Sequence, residues 1–110
     1  MKLSVAIITF NEDRIIEKNL NAIHDIADEI VIVDSFSKDC TEEICSRFPK
    51  VKFIQQKFLG FGKQKNFAIE QCQSEWILFL DSDEIPDEDL KKSIKKIISE
   101  QQPEFNVYDA

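Results

Sequence analysis

The stretch ILFLDSDEIPDEDL, residues 77–90, turns from apolar to acidic at a single point. Residues 77–80 are continuously apolar, which is typical of a strand that is covered on both faces. Six acidic residues follow within nine positions: Asp81, Asp83, Glu84, Asp87, Glu88 and Asp89. The stretch therefore predicts a buried strand that delivers carboxylates to its carboxyl end. Three interpretations of these acids are open: a metal site, a helix cap or a solvated turn.

Five of the six acids divide into two groups, and Glu84 is left unassigned. Pro86 followed by three acids is typical of a helix start, with Asp87 as the N-cap, so residues 87–89 need no function. Asp81 and Asp83 come before that start, and two like charges two residues apart repel unless a cation lies near them. Their hard oxygen atoms suit Mg²⁺ or Mn²⁺. A D-x-D pattern alone is common, but here it follows a buried strand, which favours a metal site.

The rest of the chain alternates apolar runs with helical patterns. Four runs predict strands: 3–10, 29–34, 51–56 and 75–81. Apolar residues at helical spacing predict a helix after each strand: Ile16, Leu20 and Ile23; Ile44 and Phe48; Phe61, Ala68 and Cys72; Leu90, Ile94, Ile97 and Ile98. The order β-α-β-α-β-α-β-α predicts an α/β fold, with helices on both faces of an open, mostly parallel sheet.

The composition is that of one small globular domain, residues 1–110. A net charge of -7 argues against the basic face of a nucleic-acid-binding protein, although it does not exclude a nucleotide. The three cysteines form no C-x-x-C pair, so reduced thiols are expected instead of a zinc site or a disulfide scaffold. Residues 1–10 lack the pattern of a signal peptide, and no apolar run is long enough to cross a membrane. After Pro103, residues 105–110 predict the start of a fifth strand, so we expect a piece of a longer protein or a designed fragment.

Polar residues follow three of the predicted strands, at 9–12, 34–39 and 81–84. Because ligands bind outside the carboxyl ends of strands in open α/β sheets, these groups predict a binding site at one edge. Structural interpretations stay open beside this one. Asn11 or Glu12 would cap the first helix, and Asp39 or Thr41 would cap the second. Asp34 would be a turn-forming residue.

The segment GFGKQKN, residues 60–66, contains both glycines of the chain. Its spacing matches neither a P-loop nor a dinucleotide-binding fingerprint. Lys63 and Lys65 are candidates for phosphate contacts, although lysines at a helix start are commonly solvated.

Taken together, SVAIITFNE (4–12), EIVIVDSFSKDCTEEI (29–44) and GFGKQKNFAIEQCQSEWILFLDSDEI (60–85) resemble family 2 glycosyltransferases, in the nucleotide-binding part of their Rossmann-like GT-A fold. The similarity is greatest to the bacterial branch that acts in cell-envelope biosynthesis, on the lipopolysaccharide core. The resemblance implies a transferase that moves a sugar from a nucleotide-sugar donor, often UDP-linked, to a glycan or lipid-linked saccharide acceptor. It also implies Mg²⁺ or Mn²⁺ on the diphosphate, where the metal neutralises the charge of the leaving group.

The resemblance also implies roles for individual residues. Thr9, Phe10 and Glu12 would line the nucleoside pocket, with Asn11 nearby. Asp34 would meet the base, and residues 65–66 would lie near the base or diphosphate. Asp81 would approach the ribose or a metal-bound water, and Asp83 would be the main metal ligand. The full implied donor-binding set is Thr9, Phe10, Asn11, Glu12, Asp34, Lys65, Asn66, Asp81, Ser82 and Asp83, with Asp83 and Asp81 as the metal residues.

Three positions depart from the family pattern. Ser35 and Phe36 stand where the family often has Asp and Gly, so the loop is expected to differ. Lys65 stands where Arg is frequent, so a bidentate contact is lost.

No general base is evident among residues 84–110, and Glu84 has no assigned role. We expect the base beyond residue 110, which would leave this piece inactive, and any peripheral membrane contact would also lie there. The expected location is the cytoplasm, at the inner face of the membrane. Two other functions stay open: a non-catalytic nucleotide-binding module, and a phosphatase of the Asp-x-Asp class, whose motif normally follows the first strand.

Overall fold

The computed structural model of the chain describes the backbone of residues 2–100 and 106–109 and the side chains of residues 2–99. The strands are β1 (Leu3–Thr9), β2 (Glu29–Asp34), β3 (Val51–Gln55), β4 (Trp76–Asp81) and β5 (Asn106–Asp109). The helices are α1 (Ile16–Ile23), α2 (Thr41–Cys45), α3 (Phe61–Glu70) and α4 (Glu88–Glu100). The predicted alternation of strands and helices is therefore confirmed.

The five strands form one sheet in the order β3-β2-β1-β4-β5, and every neighbouring pair is parallel. β1 lies at the centre, with Ser4 opposite Glu29 of β2 on one side and Ile77 of β4 on the other. The chain runs outward from β1 to β3 and then returns to place β4 on the other side of β1. The order of strands therefore reverses between β1 and β4, where open α/β sheets form a crevice.

Helices cover both faces of the sheet, because successive side chains of a buried strand point to opposite faces. On one face, Leu3, Val5 and Ile7 of β1 pack in a core cluster with residues of α1, α2 and α4. On the other face, Ala6 packs in a second cluster with Ala68 of α3. The three-layer α/β/α architecture expected from the sequence is confirmed.

The helix starts agree only in part with the sequence. The Leu90 N–H donates a 2.8 Å hydrogen bond to Asp87 Oδ1, so the predicted N-cap of α4 is confirmed. At α2 the N-cap position is Cys40, which has no side-chain cap bond, so neither Asp39 nor Thr41 is the cap. Asp39 Oδ1 nevertheless accepts a 2.9 Å hydrogen bond from the Thr41 N–H at the helix start. The prediction that Asn11 or Glu12 caps the first helix is wrong. Helix α1 begins four residues after Glu12 and has no side-chain cap.

The chain end and the cysteines follow the sequence-based expectations where the structure describes them. β5 pairs with β4 as the predicted fifth strand, while Pro103, Phe105 and Ala110 lie outside the described residues. Cys40, Cys45 and Cys72 are free thiols. Within the described part of the chain, no helix has the length and apolarity to cross a membrane.

Candidate functional site

A cavity of about 530 Å³ opens at the carboxyl ends of β1 and β4, at the point where the strand order reverses. This is the edge of the sheet at which the sequence predicts a binding site. Its lining residues come from the ends of two strands, the loops that follow β1, β2, β3 and β4, and the start of α3. They are Ile8, Thr9, Phe10, Glu12, Ser35, Phe58, Phe61, Gln64, Asp81, Ser82 and Asp83.

The charged lining of the cavity is entirely acidic. Glu12, Asp81 and Asp83 line it, and none of its lining residues is a lysine, arginine or histidine. A nucleoside diphosphate carries negative charge, so such a ligand would be repelled unless a cation lay between it and the carboxylates. The cavity is therefore suited to a cation, or to an anion that arrives together with one.

Residues 81–84, here called the acidic turn, place two of these carboxylates. The Glu84 N–H donates a 2.9 Å hydrogen bond to the Asp81 carbonyl oxygen. In return, the Asp81 N–H donates to Glu84 Oε1 at 3.1 Å. Glu84 therefore closes the turn with its own side chain, which gives a structural role to an acid that had none in the sequence. Asp83 lies at the exposed tip of the turn.

Three phenylalanines, here called the aromatic wall, also line the cavity. Phe10, Phe58 and Phe61 are each more than half exposed, which is unusual for large apolar side chains. Phe61 is fixed by an edge-to-face contact with Phe79, with ring centroids 6.3 Å apart. The sequence places Phe61 on one helix face with Ala68 and Cys72. In the structure Phe61 opens α3, contacts Phe79 of the sheet and also lines the cavity, so it is not covered as a core residue would be.

Asp34 does not line the cavity. Its side chain is fully buried (0% exposed). Oδ1 accepts hydrogen bonds from Thr9 Oγ1 at 2.7 Å and Ser37 Oγ at 2.5 Å, and Oδ2 accepts one from the Ser37 N–H at 2.8 Å. The structure thus shows the turn-forming interpretation of Asp34. A contact between its carboxylate and a base would require these bonds to rearrange, and it stays a prediction.

The loops after β1 and β2 are joined by reciprocal hydrogen bonds. The Asn11 N–H donates to Ser37 Oγ at 2.7 Å, and Asn11 Oδ1 accepts from the Lys38 N–H at 2.9 Å. Asn11 does not line the cavity, and it instead holds one loop against the other. Phe36 has φ of 59°, so this loop keeps a left-handed residue although glycine is absent. Phe36 therefore adopts the left-handed backbone conformation that a glycine at this position would favour.

Asp39 strengthens the same junction. Burial opposes ionisation of its carboxyl, but hydrogen bonds from the hydroxyl and N–H of Thr41 and from the Asp13 N–H outweigh that effect and lower its pKa. Thr41 in turn accepts a 2.9 Å hydrogen bond from the Glu12 N–H. The backbone of Glu12 is therefore anchored from the second loop while its side chain faces the cavity.

Helix α3 presents a different residue to the cavity than the sequence predicts. Gln64 lines it, whereas neither Lys65 nor Asn66 does. Consecutive helical residues are rotated by about 100°, so only one of these three can face the cavity. The Lys65 ammonium lies 4.9 Å from the centroid of the Phe79 ring. Asn66 is exposed to solvent. Their predicted contacts with a donor stay predictions.

Asp81 and Asp83 fit a metal that is shared with a ligand. Among the residues that the structure describes, no three His, Cys, Asp or Glu side chains form a group able to hold a metal ion. Mg²⁺ and Mn²⁺ are commonly held by one or two carboxylates together with waters and substrate phosphates. Two carboxylates on one turn, at the edge of a cavity, match that pattern and not a site built from protein ligands alone.

Two residues of the site were missed in the sequence. Asn19 lies on the buried face of α1, and Gln64 lies on the buried face of α3, one turn before Ala68. Each is at most 1% exposed. The signal for both was a polar residue on an otherwise apolar helix face, which is unfavourable unless its polar atoms are bonded.

The model of the family "Glycosyl transferase family 2" matches residues 4–108 of the chain. Among curated proteins, the chain is 39% identical over 100 residues to an uncharacterized glycosyltransferase of Rickettsia bellii, covering 91% of this chain and 34% of that protein. It is 32% identical over 103 residues to the lipopolysaccharide core biosynthesis glycosyltransferase LpsC of Rhizobium meliloti, covering 90% and 38%. The chain thus spans about a third of the length of these relatives.

Two solved structures show the same fold. TarS of S. aureus superimposes with a TM-score of 0.78 at 32% identity, over 91% of this chain and 33% of that chain. Glucosyl-3-phosphoglycerate synthase of Mycobacterium tuberculosis, in complex with Mn²⁺, UDP and glucosyl-3-phosphoglycerate, superimposes with a TM-score of 0.64 at 22% identity, over 74% and 33%. The second likeness is one of fold alone. With the α/β/α architecture and a cavity at the switch point, the family match over residues 4–108 establishes that this chain belongs to glycosyltransferase family 2.

Proposed function

We propose that this chain is the donor-binding part of a metal-dependent glycosyltransferase. The donor would be a nucleotide-diphosphate sugar, of the UDP-hexose type, and the acceptor a glycan of the lipopolysaccharide-core class. The proposed place of transfer is the cytoplasmic side of the membrane that carries such a lipid-linked acceptor. The observation that carries the proposal is the cavity at the switch point, which is lined by both carboxylates and exposed aromatic rings.

The acidic wall supports the metal. Asp83, at the exposed tip of the acidic turn, would hold the ion, and Asp81 would hold it directly or through a water. When bound, such an ion neutralises the negative charge that develops on the departing nucleoside diphosphate. The carboxylates would thereby attract the donor through the cation, since they would repel the diphosphate alone.

The aromatic wall supports a nucleoside. A base stacked on an aromatic ring gains about 1–3 kcal/mol, and the exposed rings of Phe10, Phe58 and Phe61 offer such surfaces. The side chain of Gln64 adds a polar group to this wall. Its Nε2 donates to Ser35 Oγ and Gln56 O at 3.2 and 3.3 Å, while its buried Oε1 has no partner among the described residues. An acceptor without a partner suits a ligand that donates a hydrogen bond.

The comparisons support the finer parts of the proposal. The synthase of the same fold was solved with Mn²⁺ and UDP, which favours a divalent metal and a uridine nucleotide here. The name of the R. meliloti relative favours a lipopolysaccharide-core acceptor. Family membership removes the support for a phosphatase, whose motif would follow the first strand and not β4.

Isothermal titration calorimetry of the chain with UDP, UDP-glucose and a GDP-sugar, each with and without Mn²⁺, tests the proposal. We expect UDP and UDP-glucose to bind with Mn²⁺ and to lose most of their affinity without it. Asp83→Asn should abolish the metal-dependent part of binding. Asp89→Asn is the matched control, because it removes the same charge from the first turn of α4, away from the cavity lining.

Three results would contradict the proposal: no nucleotide binding by the folded chain, equal binding with and without Mn²⁺, or equal losses in the two Asp variants. Tighter binding of the GDP-sugar would contradict the choice of nucleotide. Transfer itself is tested with the longer protein, by following release of UDP from UDP-glucose. A protein that binds UDP but never turns it over, with any saccharide acceptor supplied, would be the non-catalytic module.

A further inference from the structure

Asn19 is an amide on the buried face of α1. Ile16, Leu20 and Ile23 share that face, and all four side chains are fully buried (0% exposed). A buried amide is unfavourable unless its polar atoms have hydrogen-bond partners. The partners of Asn19 therefore indicate what the amide does at this position.

The Asn19 side chain binds two carbonyl groups of the acidic turn. Its Nδ2 donates to Glu84 O at 2.7 Å and to Ser82 O at 3.1 Å. These carbonyls belong to the residues on either side of Asp83. Both acceptors are carbonyl oxygens, so only the NH₂ end of the amide can face them, and the orientation of the carboxamide is fixed.

The side-chain oxygen of Asn19 makes no hydrogen bond of this kind. Asn19 Oδ1 is buried and has no hydrogen-bond partner within the described part of the chain. An unpaired buried oxygen is unfavourable, so filling space alone would favour an apolar side chain of similar shape. An apolar replacement would, however, leave Ser82 O and Glu84 O without this donor. The amide is therefore poorly explained by packing, and its two donated hydrogen bonds are what distinguish it from leucine.

We infer that Asn19 is a positioning residue that fixes the acidic turn in the conformation that presents Asp83 to a metal-bound diphosphate. The turn is closed on one side by Glu84, whose carboxylate accepts from the Asp81 N–H. Asn19 completes the turn from the other direction, because it donates hydrogen bonds to two of its carbonyl oxygens. The metal-binding consequence rests on the proposed function, whereas the effect on the turn does not.

The expected effect is local. Replacing a residue that orients a metal ligand through hydrogen bonds commonly weakens metal affinity by about 10–100-fold. We expect Asn19→Leu to weaken Mn²⁺-dependent UDP binding by about tenfold or more. Binding of UDP measured without Mn²⁺ should change little, because Asn19 does not line the cavity.

The test compares Asn19→Leu with Asn21→Leu, an exposed asparagine two residues along the same helix. Three measurements are made on each variant and on the wild type: the thermal midpoint, amide hydrogen exchange at Asp81 and Glu84, and UDP affinity with and without Mn²⁺. Asn19→Ala serves as a second variant should leucine prevent folding. The two amides are informative because both are hydrogen-bonded within the turn.

We expect Asn19→Leu to lower the thermal midpoint modestly, because two carbonyl oxygens lose their donor. It should also speed exchange at Asp81 and Glu84 selectively and lose Mn²⁺-dependent affinity. Asn21→Leu should do none of these. The inference is overturned if exchange at the two amides and the Mn²⁺-dependent affinity stay at wild-type values. It is equally overturned if exchange rises uniformly across the sheet, since that result indicates a general packing role.

The outcomes separate this inference from the proposed function. A wild-type chain that binds no nucleotide contradicts the proposed function. Hydrogen exchange needs no ligand, so it still decides whether Asn19 fixes the turn. A wild-type chain that binds UDP with Mn²⁺, together with an unaffected Asn19→Leu, contradicts the inference alone.

Discussion

Thr9 Oγ1 donates a 2.7 Å hydrogen bond to Asp34 Oδ1, and this bond joins the last residues of the two adjacent strands β1 and β2. Both side chains are buried, at 4% and 0% exposure. A buried carboxylate depends on its donors, because an unpaired charge in the interior is strongly unfavourable. The bond therefore holds the ends of β1 and β2 together next to the cavity, and it does so without any ligand.

The first prediction concerns that bond. Thr9→Val keeps the shape of the side chain and removes one donor, so it should lower the free energy of unfolding by about 1.5–3 kcal/mol, as expected for a hydrogen bond to a charged group. Thr9→Ser keeps the hydroxyl and should lose less. Urea denaturation of the three proteins measures the difference. Equal losses in the two variants would show that the methyl group, and not the bond, matters.

Gly60, which precedes α3, and Gly62, which lies inside it, should respond in opposite directions to alanine. Gly60 has φ of 105°, a conformation that L-residues rarely adopt, so Gly60→Ala should lower stability by about 1–3 kcal/mol. Gly62 lies inside α3, and no atom lies within 4 Å of an added Cβ. Gly62→Ala should raise stability by about 0.5–1 kcal/mol. Chemical denaturation of this matched pair checks both signs, and a stabilising Gly60→Ala would contradict the structure.

Acid should destabilise the fold through aspartates at the other edge of the sheet and at the loop junction. Hydrogen bonds from the Leu3 and Lys2 N–H groups lower the pKa of Asp28 despite some burial. The pKa of Asp39 is also lowered, as described above. A carboxyl with a lowered folded pKa contributes stability above its unfolded pKa, about 3.9. That contribution is lost as the pH falls through the folded pKa.

We therefore expect the free energy of unfolding to fall as the pH is lowered from about 5 to about 2. Asp28→Asn should flatten this dependence, while Asp89→Asn, which changes an exposed acid in α4, should not. Urea denaturation as a function of pH measures the slopes. Parallel curves for the wild type and Asp28→Asn would contradict the assignment.

High pH should destabilise the fold through the buried ammonium of Lys91. Hydrogen bonding to Asp25, at 3.2 Å, raises the pKa of Lys91, whose side chain is only 7% exposed. A raised folded pKa contributes stability that is complete below the unfolded pKa, about 10.4, and is lost as the pH rises through the folded value. Lys91→Met should lower stability at neutral pH and reduce the loss at alkaline pH. An unchanged alkaline loss would rule out Lys91 as its source.

The three thiols should react at very different rates. Burial raises the pKa of Cys45 and of Cys72 to about 12, whereas Cys40 is exposed. Because the thiolate is the reactive form, iodoacetamide at pH 8 should label Cys40 first and the other two only after denaturation. Mass spectrometry of the labelled peptides measures the order. Rapid labelling of Cys45 in the native protein would contradict its placement in the core.

The sequence was a good guide to the architecture because continuous apolar runs and helical stripes report burial directly. The run at 77–80 became a strand with both faces covered, and Asp87 became the cap of α4. The strand order was not predictable from such patterns. It depends on which strands pair across long stretches of chain, and no local pattern of a single strand encodes its neighbours.

The candidate site was predictable only in part. The acids after β4 reach the cavity, since a strand end fixes where the next residue lies. Lys65 and Asn66 do not line it, because a rotation of one residue around α3 decides which side chain faces inward. Asp34 follows its strand as expected, yet hydrogen bonds from Thr9 and Ser37 enclose it. Such contacts join distant segments, so they cannot be inferred from either segment alone.

The reversal of strand order also has a consequence for how the chain folds. β1 can pair with β2 early, but its other neighbour, β4, follows much later: Ser4 and Ser74, whose hydroxyls are hydrogen-bonded, are separated by 70 residues of chain. Closing so long a loop is slow compared with forming local structure. The cavity lies where β1 and β4 meet, and Asp81 of β4 lines it. We therefore expect the pocket to be among the last regions to assemble, and mutations that delay β4 docking to impair it before they affect β2 and β3.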